Sequence, residues 1–338
     1  MITLLQNTNN RPLQVGGQAV IEGVMMRSPD RVATAVRRKD GSITMKQEEK
    51  IPFTVRKPSW NIPIVRGFIA LVEMMSIGIR TLNYSADIAI EDDETEQRKK
   101  AEAKGKVYKK KQKSKGSTAL GTAMTLLVAF GIALLLFFVL PLFAATALFD
   151  VEQNALGFNL VSGGFRIAIL LGYLYIISRL KDVQRLFQYH GAEHKAVFAF
   201  EKGLDLSVGN TRTQSRFHPR CGTSFVLQVA LIAILCFAIL DWLLILALGE
   251  ITFFIRIATH IPLIPLVAGV SYEGLKLTAR HSGSAIGQAL VAPGLWLQRI
   301  TTREPDDSQI EVALAALRAA LNLEEEKIEN TKTVETIV

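Results

Sequence analysis

Residues 224–270 read S-F-V-L-Q-V-A-L-I-A-I-L-C-F-A-I-L-D-W-L-L-I-L-A-L-G-E-I-T-F-F-I-R-I-A-T-H-I-P-L-I-P-L-V-A-G-V. The charged side chains in this stretch are Asp241, Glu250 and Arg256. A helix needs about 20 apolar residues to cross a bilayer, and the stretch is long enough for two. Gly249-Glu250 is the only break, so the expectation is a tight hairpin of two spans, 224–248 and 251–270, the second carrying Pro262 and Pro265. This hairpin decides the fold class: a mainly α membrane protein.

Working outward, two further runs qualify as spans. One covers 119–140 and is expected to stop at Pro141. The other covers 158–178, with Gly163, Gly164 and Arg166 crowding its start. Four spans fit the composition. The chain has 338 residues, 49% hydrophobic and 21% charged, with net charge +8, and its mean hydropathy is +0.25. Positive hydropathy beside that many charges means that apolar and charged residues are segregated into blocks. A disordered chain is excluded, and two cysteines exclude a disulfide scaffold. The N-terminal residues MITLLQNTNNRPLQ lack a basic start followed by a long apolar run, so no cleavable signal is expected.

Loop charges set the orientation. Residues 98–115 are rich in Lys and Arg, loop 149–163 carries only Asp150 and Glu152, and segment 179–222 is again basic from Arg179 to Arg220. The positive-inside rule then puts both termini and segment 179–222 on the cytoplasmic side, with the bilayer as the constant partner.

The remaining segments flank these spans. Residues 1–58 are expected to be a β-rich cytoplasmic element. Its hairpin pairs 32–38 with 42–47 across Lys39-Asp40-Gly41, and residues 13–26 form a Gly-rich strand or loop carrying Glu22. Residues 59–90 place Arg66, Glu73 and Arg80 on one narrow stripe, as in an interfacial amphipathic helix. Residues 91–117 read as a charged, solvated linker. Segment 118–178 holds spans one and two, and 223–272 holds spans three and four. Residues 273–305 read as a second interfacial or re-entrant segment around Pro293-Gly294. Residues 306–338 begin as an amphipathic docking helix that Pro305 and Asp306 start. The Lys-rich linker or this helix offers a surface for a protein partner, and nothing points to a specific nucleic acid.

The chemistry-bearing motif lies in 188–201, Q-Y-H-G-A-E-H-K-A-V-F-A-F-E. In a helix, His190 and His194 are one turn apart and share a face with Glu193 and Glu201. Two neutral imidazoles one turn apart with a carboxylate in reach suit a tetrahedral metal ion, zinc first among the divalent metals. The H-x-x-E-H order is that of inverzincin proteases. A second group, R-F-H-P-R-C-G-T-S at 216–224, adds His218 and Cys221. The predicted topology puts Glu22, Glu273 and His281 on the same side. Inside the membrane, Asp241 and Arg256 fall at similar depth in the hairpin, with His260 one turn beyond Arg256.

G-G-Q-A-V-I-E-G-V-M-M-R at 16–27, Y-H-G-A-E-H-K at 189–195, H-P-R-C-G-T-S-F at 218–225, S-Y-E at 271–273 and P-G-L-W-L-Q-R-I-T-T-R-E-P at 293–305 resemble the YqhQ-like family of bacterial membrane proteins. That family is of unknown function and is commonly labelled a predicted metal-dependent enzyme. The resemblance covers nearly the whole chain. It implies a metal role for His190, Glu193, His194, His218 and Cys221, and it implies no substrate.

Three functions follow as expectations. The first is a metal site at the cytoplasmic membrane face. His190 and His194 would be ligands there, completed from Glu201, Glu273, His218 or Cys221. Glu193 would be general base for hydrolysis of a peptide, lipid or other membrane-adjacent substrate. The second is a non-catalytic scaffold or assembly factor held together by the same polar residues. The third is proton or ion transport around Asp241, Arg256 and His260.

Overall fold

The computed structural model describes residues 15–105, 115–280, 284–323 and 334–335. Four strands, β1 (Gly16–Val20), β2 (Gly23–Arg27), β3 (Arg31–Arg37) and β4 (Ile43–Glu49), form an antiparallel meander, with the short β5 (Val334–Glu335) added parallel to β4. The expected hairpin pairs Arg37 with Ile43 around the turn at Gly41. Residues 13–26 contribute two strands rather than one, because the chain reverses at Glu22 in the left-handed region, φ 52°.

The side-chain alternation of a strand gives this sheet two apolar faces. Val24, Met26, Ala33 and Ala35 pack toward α6 (Lys181–Glu201) and α11 (Asp307–Ala320). Val20, Met25, Val32 and Val36 pack toward Ile77 and Ile88 of α2 (Val65–Glu102). The sheet is therefore the middle of three layers. Helix α11 starts with a reciprocal cap between Asp306 and Gln309 and buries Ile310, Ala313, Leu314, Leu317 and Ala320.

Helix α2 runs beyond the expected boundary at 90, through the acidic residues first read as linker, to Glu102. The sheet explains the extension. Arg38 pairs with Glu91 and Asp92, and Lys39 pairs with Asp93 and Glu96, so the acidic turns are held against the β3–β4 hairpin. Before α2 come a short helix α1 (Phe53–Arg56) and a 3₁₀ turn, Pro58–Trp60.

Among the described residues, four helices are long and apolar enough to cross a membrane: Met124–Leu148, Ala155–Ile177, Gly222–Leu248 and Phe253–Leu277. The first span does not stop at Pro141. Helix α3 (Lys115–Leu134) passes through a widened π turn, Leu135–Val139, into α4 (Leu140–Leu148), and Pro141 occupies the first turn of α4. Pro141 has no N–H for the Phe137 carbonyl four residues back, which accepts from Arg166 Nε instead (3.0 Å), and the π turn before it makes room for its ring, so the helix continues. Helix α5 (Ala155–Ile177) begins earlier than expected because Asn154 caps it, accepting the Gly157 N–H at 2.8 Å. Helix α8 is Gly222–Leu248 and α9 is Phe253–Arg280, so Glu273 lies on the fourth span rather than in a segment after it. Helix α10 (Ala285–Thr301) packs on α8 where Gly294 meets Ser224. The short α7 is Val208–Arg212.

Candidate functional site

Helix α6 leaves the end of α5 after a three-residue turn and buries His194, Glu193 and Lys195 between the sheet and the segment that follows α10. Gly191 permits the close approach, since a Cβ there would strike the Arg303 carbonyl. Lys195 bonds the Arg212 carbonyl (2.8 Å) and pairs with Glu304, tying α6 to both neighbouring loops.

Both imidazoles are fixed by backbone. His190 Nδ1–H donates to the Thr301 carbonyl (2.8 Å), and His194 Nδ1–H donates to the Arg216 carbonyl (2.5 Å). A carbonyl only accepts, so each neutral ring carries its proton on Nδ1 and leaves Nε2 bare. His190 Nε2 lies 3.2 Å from Cys221 Sγ. One ligand atom each from His190, His194 and Cys221 lies within 4.8 Å of the others. Zn–N and Zn–S bonds of about 2.0–2.3 Å imply tetrahedral ligand separations of about 3.4–3.7 Å, so the set suits one ion after a small contraction. Cys221 is the N-cap of α8, its sulfur accepting the Thr223 N–H at 3.4 Å. The thiol therefore stands at the very start of a candidate span.

Glu193 completes the centre. Its carboxylate is 3.4 Å from His194 Nε2 and 5% exposed, and it accepts the Gly17 N–H. Burial pushes this carboxyl above its usual value, which the nearby His190 and His218 only partly offset. Burial pushes His194 below the usual histidine value, keeping its nitrogen available. A cleft of about 530 Å³ opens onto His190, Glu193, His194, His218 and Cys221, walled opposite by Gly16, Gly17, Arg27 and Met74.

The other sequence candidates lie elsewhere. His218 is buried behind His194, with ring centres 5.6 Å apart. Its Nδ1 accepts the Arg220 N–H (3.3 Å), and its Nε2 faces Glu201 at 3.5 Å. Glu201 also pairs with Arg220. These two form a supporting layer, and burial pushes His218 below its usual value. Glu273 is engaged by Arg66 (2.6 and 2.5 Å), joining α9 to α2. Glu22 is held by Arg185 and by the Tyr189 hydroxyl (3.3 Å). His281 lies outside the described residues.

In the hairpin, Asp241 Oδ2 accepts from Arg256 Nε (2.9 Å) and Asn159 Nδ2 (2.7 Å), while Oδ1 faces His260 Nε2 (2.8 Å). His260 stacks on Phe237 (4.2 Å, 6°), and Arg256 lies over the Phe158 ring (3.5 Å).

Reading for titratable motifs missed the groups that aim the ligands. The Thr301 and Arg216 carbonyls carry no side-chain signature. Gln298 grips His218 N–H (2.8 Å), the His218 carbonyl (2.7 Å) and Ser224 Oγ (3.0 Å), placing the loop that bears Cys221. Its only trace in the sequence is a polar residue inside the apolar face of α10.

Comparison with known proteins agrees with the sequence motifs. The model of a family described as a protein of unknown function (DUF1385) matches residues 62–323. An uncharacterized protein, YqhQ of Bacillus subtilis (strain 168), is 33% identical over 97% of this chain and 98% of its own length. No solved structure matches. The chain belongs to this family of unknown function.

Proposed function

We propose that this family member is a membrane hydrolase holding one divalent metal ion, zinc first, between His190, His194 and Cys221. The observation that carries the reading is the convergence of one ligand atom each of His190, His194 and Cys221 within 4.8 Å, each imidazole aimed by a backbone carbonyl. Such outer partners are what metal-binding histidines ordinarily have. Three protein ligands leave a fourth position for water or substrate, the arrangement of catalytic rather than structural zinc. The ion, when bound, lowers the pKa of water to about 7 and polarises the bond to be cut. Glu193 takes the proton of the attacking water and returns it to the leaving group, a role suited to a carboxyl raised by burial. Gly17 N–H keeps that carboxylate oriented. The basic loops support a cytoplasmic-side location for this chemistry at a bacterial membrane.

A closed structural site is the second reading, favoured by the 3.4 Å from Glu193 to His194 Nε2, near enough for Glu193 to fill the fourth position. Cobalt loading separates the two. A bound cobalt with a thiolate charge-transfer band that shifts on adding azide identifies an open position, while a spectrum indifferent to azide identifies a closed shell. Absence of stoichiometric metal in wild-type protein, with no change on Cys221→Ser, removes both.

A further inference from the structure

A second opening lies beside the metal cleft. It is a groove of about 420 Å³ between α1, the 3₁₀ turn and α2. Its lining is apolar at Phe53, Trp60, Phe68 and Val72 and cationic at Lys50 and Arg56. Trp60 and Val72 are half exposed. The apolar strip continues along exposed Ile62, Val65, Met75 and Ile79.

The depth of this strip follows from packing. Gly67 lies against Tyr272, where a Cβ would come 2.7 Å from the tyrosine Cβ, and Gly269 lies against the Ile64 backbone. Gly269 sits roughly 12 Å inward of the end of its span at Leu277, at about 1.5 Å per residue. The start of α2 therefore lies alongside the last turns of the fourth candidate span, and the groove opens near the end of that span. An exposed tryptophan and apolar side chains belong at that level.

The charges select a sign. Glu73, the acid of the groove, faces Arg27 at 3.8 Å, and Arg80 faces Glu48 at 3.9 Å. Arg56 makes no side-chain hydrogen bond or ion pair among the described residues, and Lys50 makes none either, though it lies in the field of Glu48. The groove also shares a wall with the metal cleft: Phe53 and Glu73 line the groove, and their neighbours Pro52 and Met74 line the cleft. A peptide would fit this cleft by pairing with the edge strand β1. The Gly17 N–H of that edge is already taken by Glu193, and just past its end the Ile21 N–H is taken by Ser85 Oγ (3.2 Å).

We infer that the groove takes an anionic phospholipid from the adjoining leaflet as substrate for the metal cleft. An acyl chain would lie against Phe53, Trp60, Phe68 and Val72, and the headgroup phosphate against Lys50 and Arg56. The substrate assignment rests on the metal reading of His190, His194 and Cys221. The groove's occupancy by lipid stands or falls by itself.

The test uses the full chain in phosphatidylcholine nanodiscs containing phosphatidylglycerol with a diazirine on its acyl chain. Labelling is expected within residues 53–72, with phosphatidylglycerol preferred over equally tagged phosphatidylcholine. Lys50→Gln with Arg56→Gln should reduce that preference about tenfold at unchanged zinc content, and Lys50→Arg with Arg56→Lys should keep it. Cys221→Ala should lose zinc and keep the labelling. Equal labelling by both lipids, or labels spread evenly over α3 and α5, overturns the proposal. So does displacement of the labelled lipid by inorganic phosphate, which would mark a free anion as the ligand. Labelling as expected in a wild-type chain that holds no zinc supports the groove and sinks the metal reading instead.

Discussion

Among the described residues, two polar clusters are built around histidine, and they differ in what their side chains face. In the hairpin, the Asp241 carboxylate is shared among Asn159, Arg256 and His260, and all three ionisable side chains are at most 1% exposed. Opposite charge meets opposite charge inside an apolar shell of Phe138, Phe158 and Phe237. In the middle of α6, one nitrogen each of His190 and His194 and the Cys221 thiol face one another, beside an open cleft. The first arrangement pairs its charges, with Arg256 Nη1 and His260 Nδ1 left without a hydrogen-bond partner among the described residues, and is a fastening between α5, α8 and α9. The second brings two imidazoles and a thiol together, and the metal proposal rests on that convergence.

The comparison can be broken most sharply at Asp241. Asp241→Ala leaves the Arg256 guanidinium buried without its carboxylate, which is expected to cost about 3–5 kcal/mol. Thermal unfolding in detergent measures it, and metal per folded chain should stay constant. A parallel loss of metal would show that the clusters are one system. Next, Glu193→Gln should keep the metal and lower turnover by about 10²–10⁴-fold. Retained turnover would leave the α6 cluster with a structural role. His260→Ala removes one bond to a charged acceptor and a stacked ring, for about 2 kcal/mol. Turnover by the remaining folded protein should be unaffected, and its disappearance would move the chemistry into the membrane.

The smallest effect comes from the scaffold behind α6. Burial pushes the Asp306 carboxyl up, but bonds from Ser308 and the Gln309 N–H more than offset this and hold it below its ordinary 3.8. A carboxyl depressed in the folded state stabilises above its unfolded value and loses that contribution as pH falls through the depressed one. Asp306→Ala should therefore cost about 1 kcal/mol at neutral pH, and the difference from wild type should vanish below that acidic range. A difference that grows in acid would contradict the capping role.

How much could be read beforehand follows from the range of each interaction. Hydropathy is summed over a local window, so the four spans are legible, and misplaced ends such as Pro141 arise where a π turn absorbs what proline forbids. The helical spacing of His190, Glu193 and His194 is likewise local, so these three were legible as a set. The linker reading of 91–102 failed because the partners of its acids, Arg38 and Lys39, lie on a distant hairpin. Glu201, Glu273 and His218 were equal candidates with Cys221 in the sequence, since each is a ligand type near the same membrane end.

The amino-acid sequence by itself determined that this chain has four apolar spans, an N-terminal sheet and one helix turn carrying two histidines and a glutamate. These follow from composition and from the periods 3.6 and 2, which neighbouring residues carry together. Only the tertiary structure decided that Cys221 joins the histidines while Glu273 turns to Arg66 and Glu201 to Arg220. The choice depends on where α8, α9 and α10 pack against α6, and that packing brings together backbone carbonyls, glycines and ion pairs far apart along the chain.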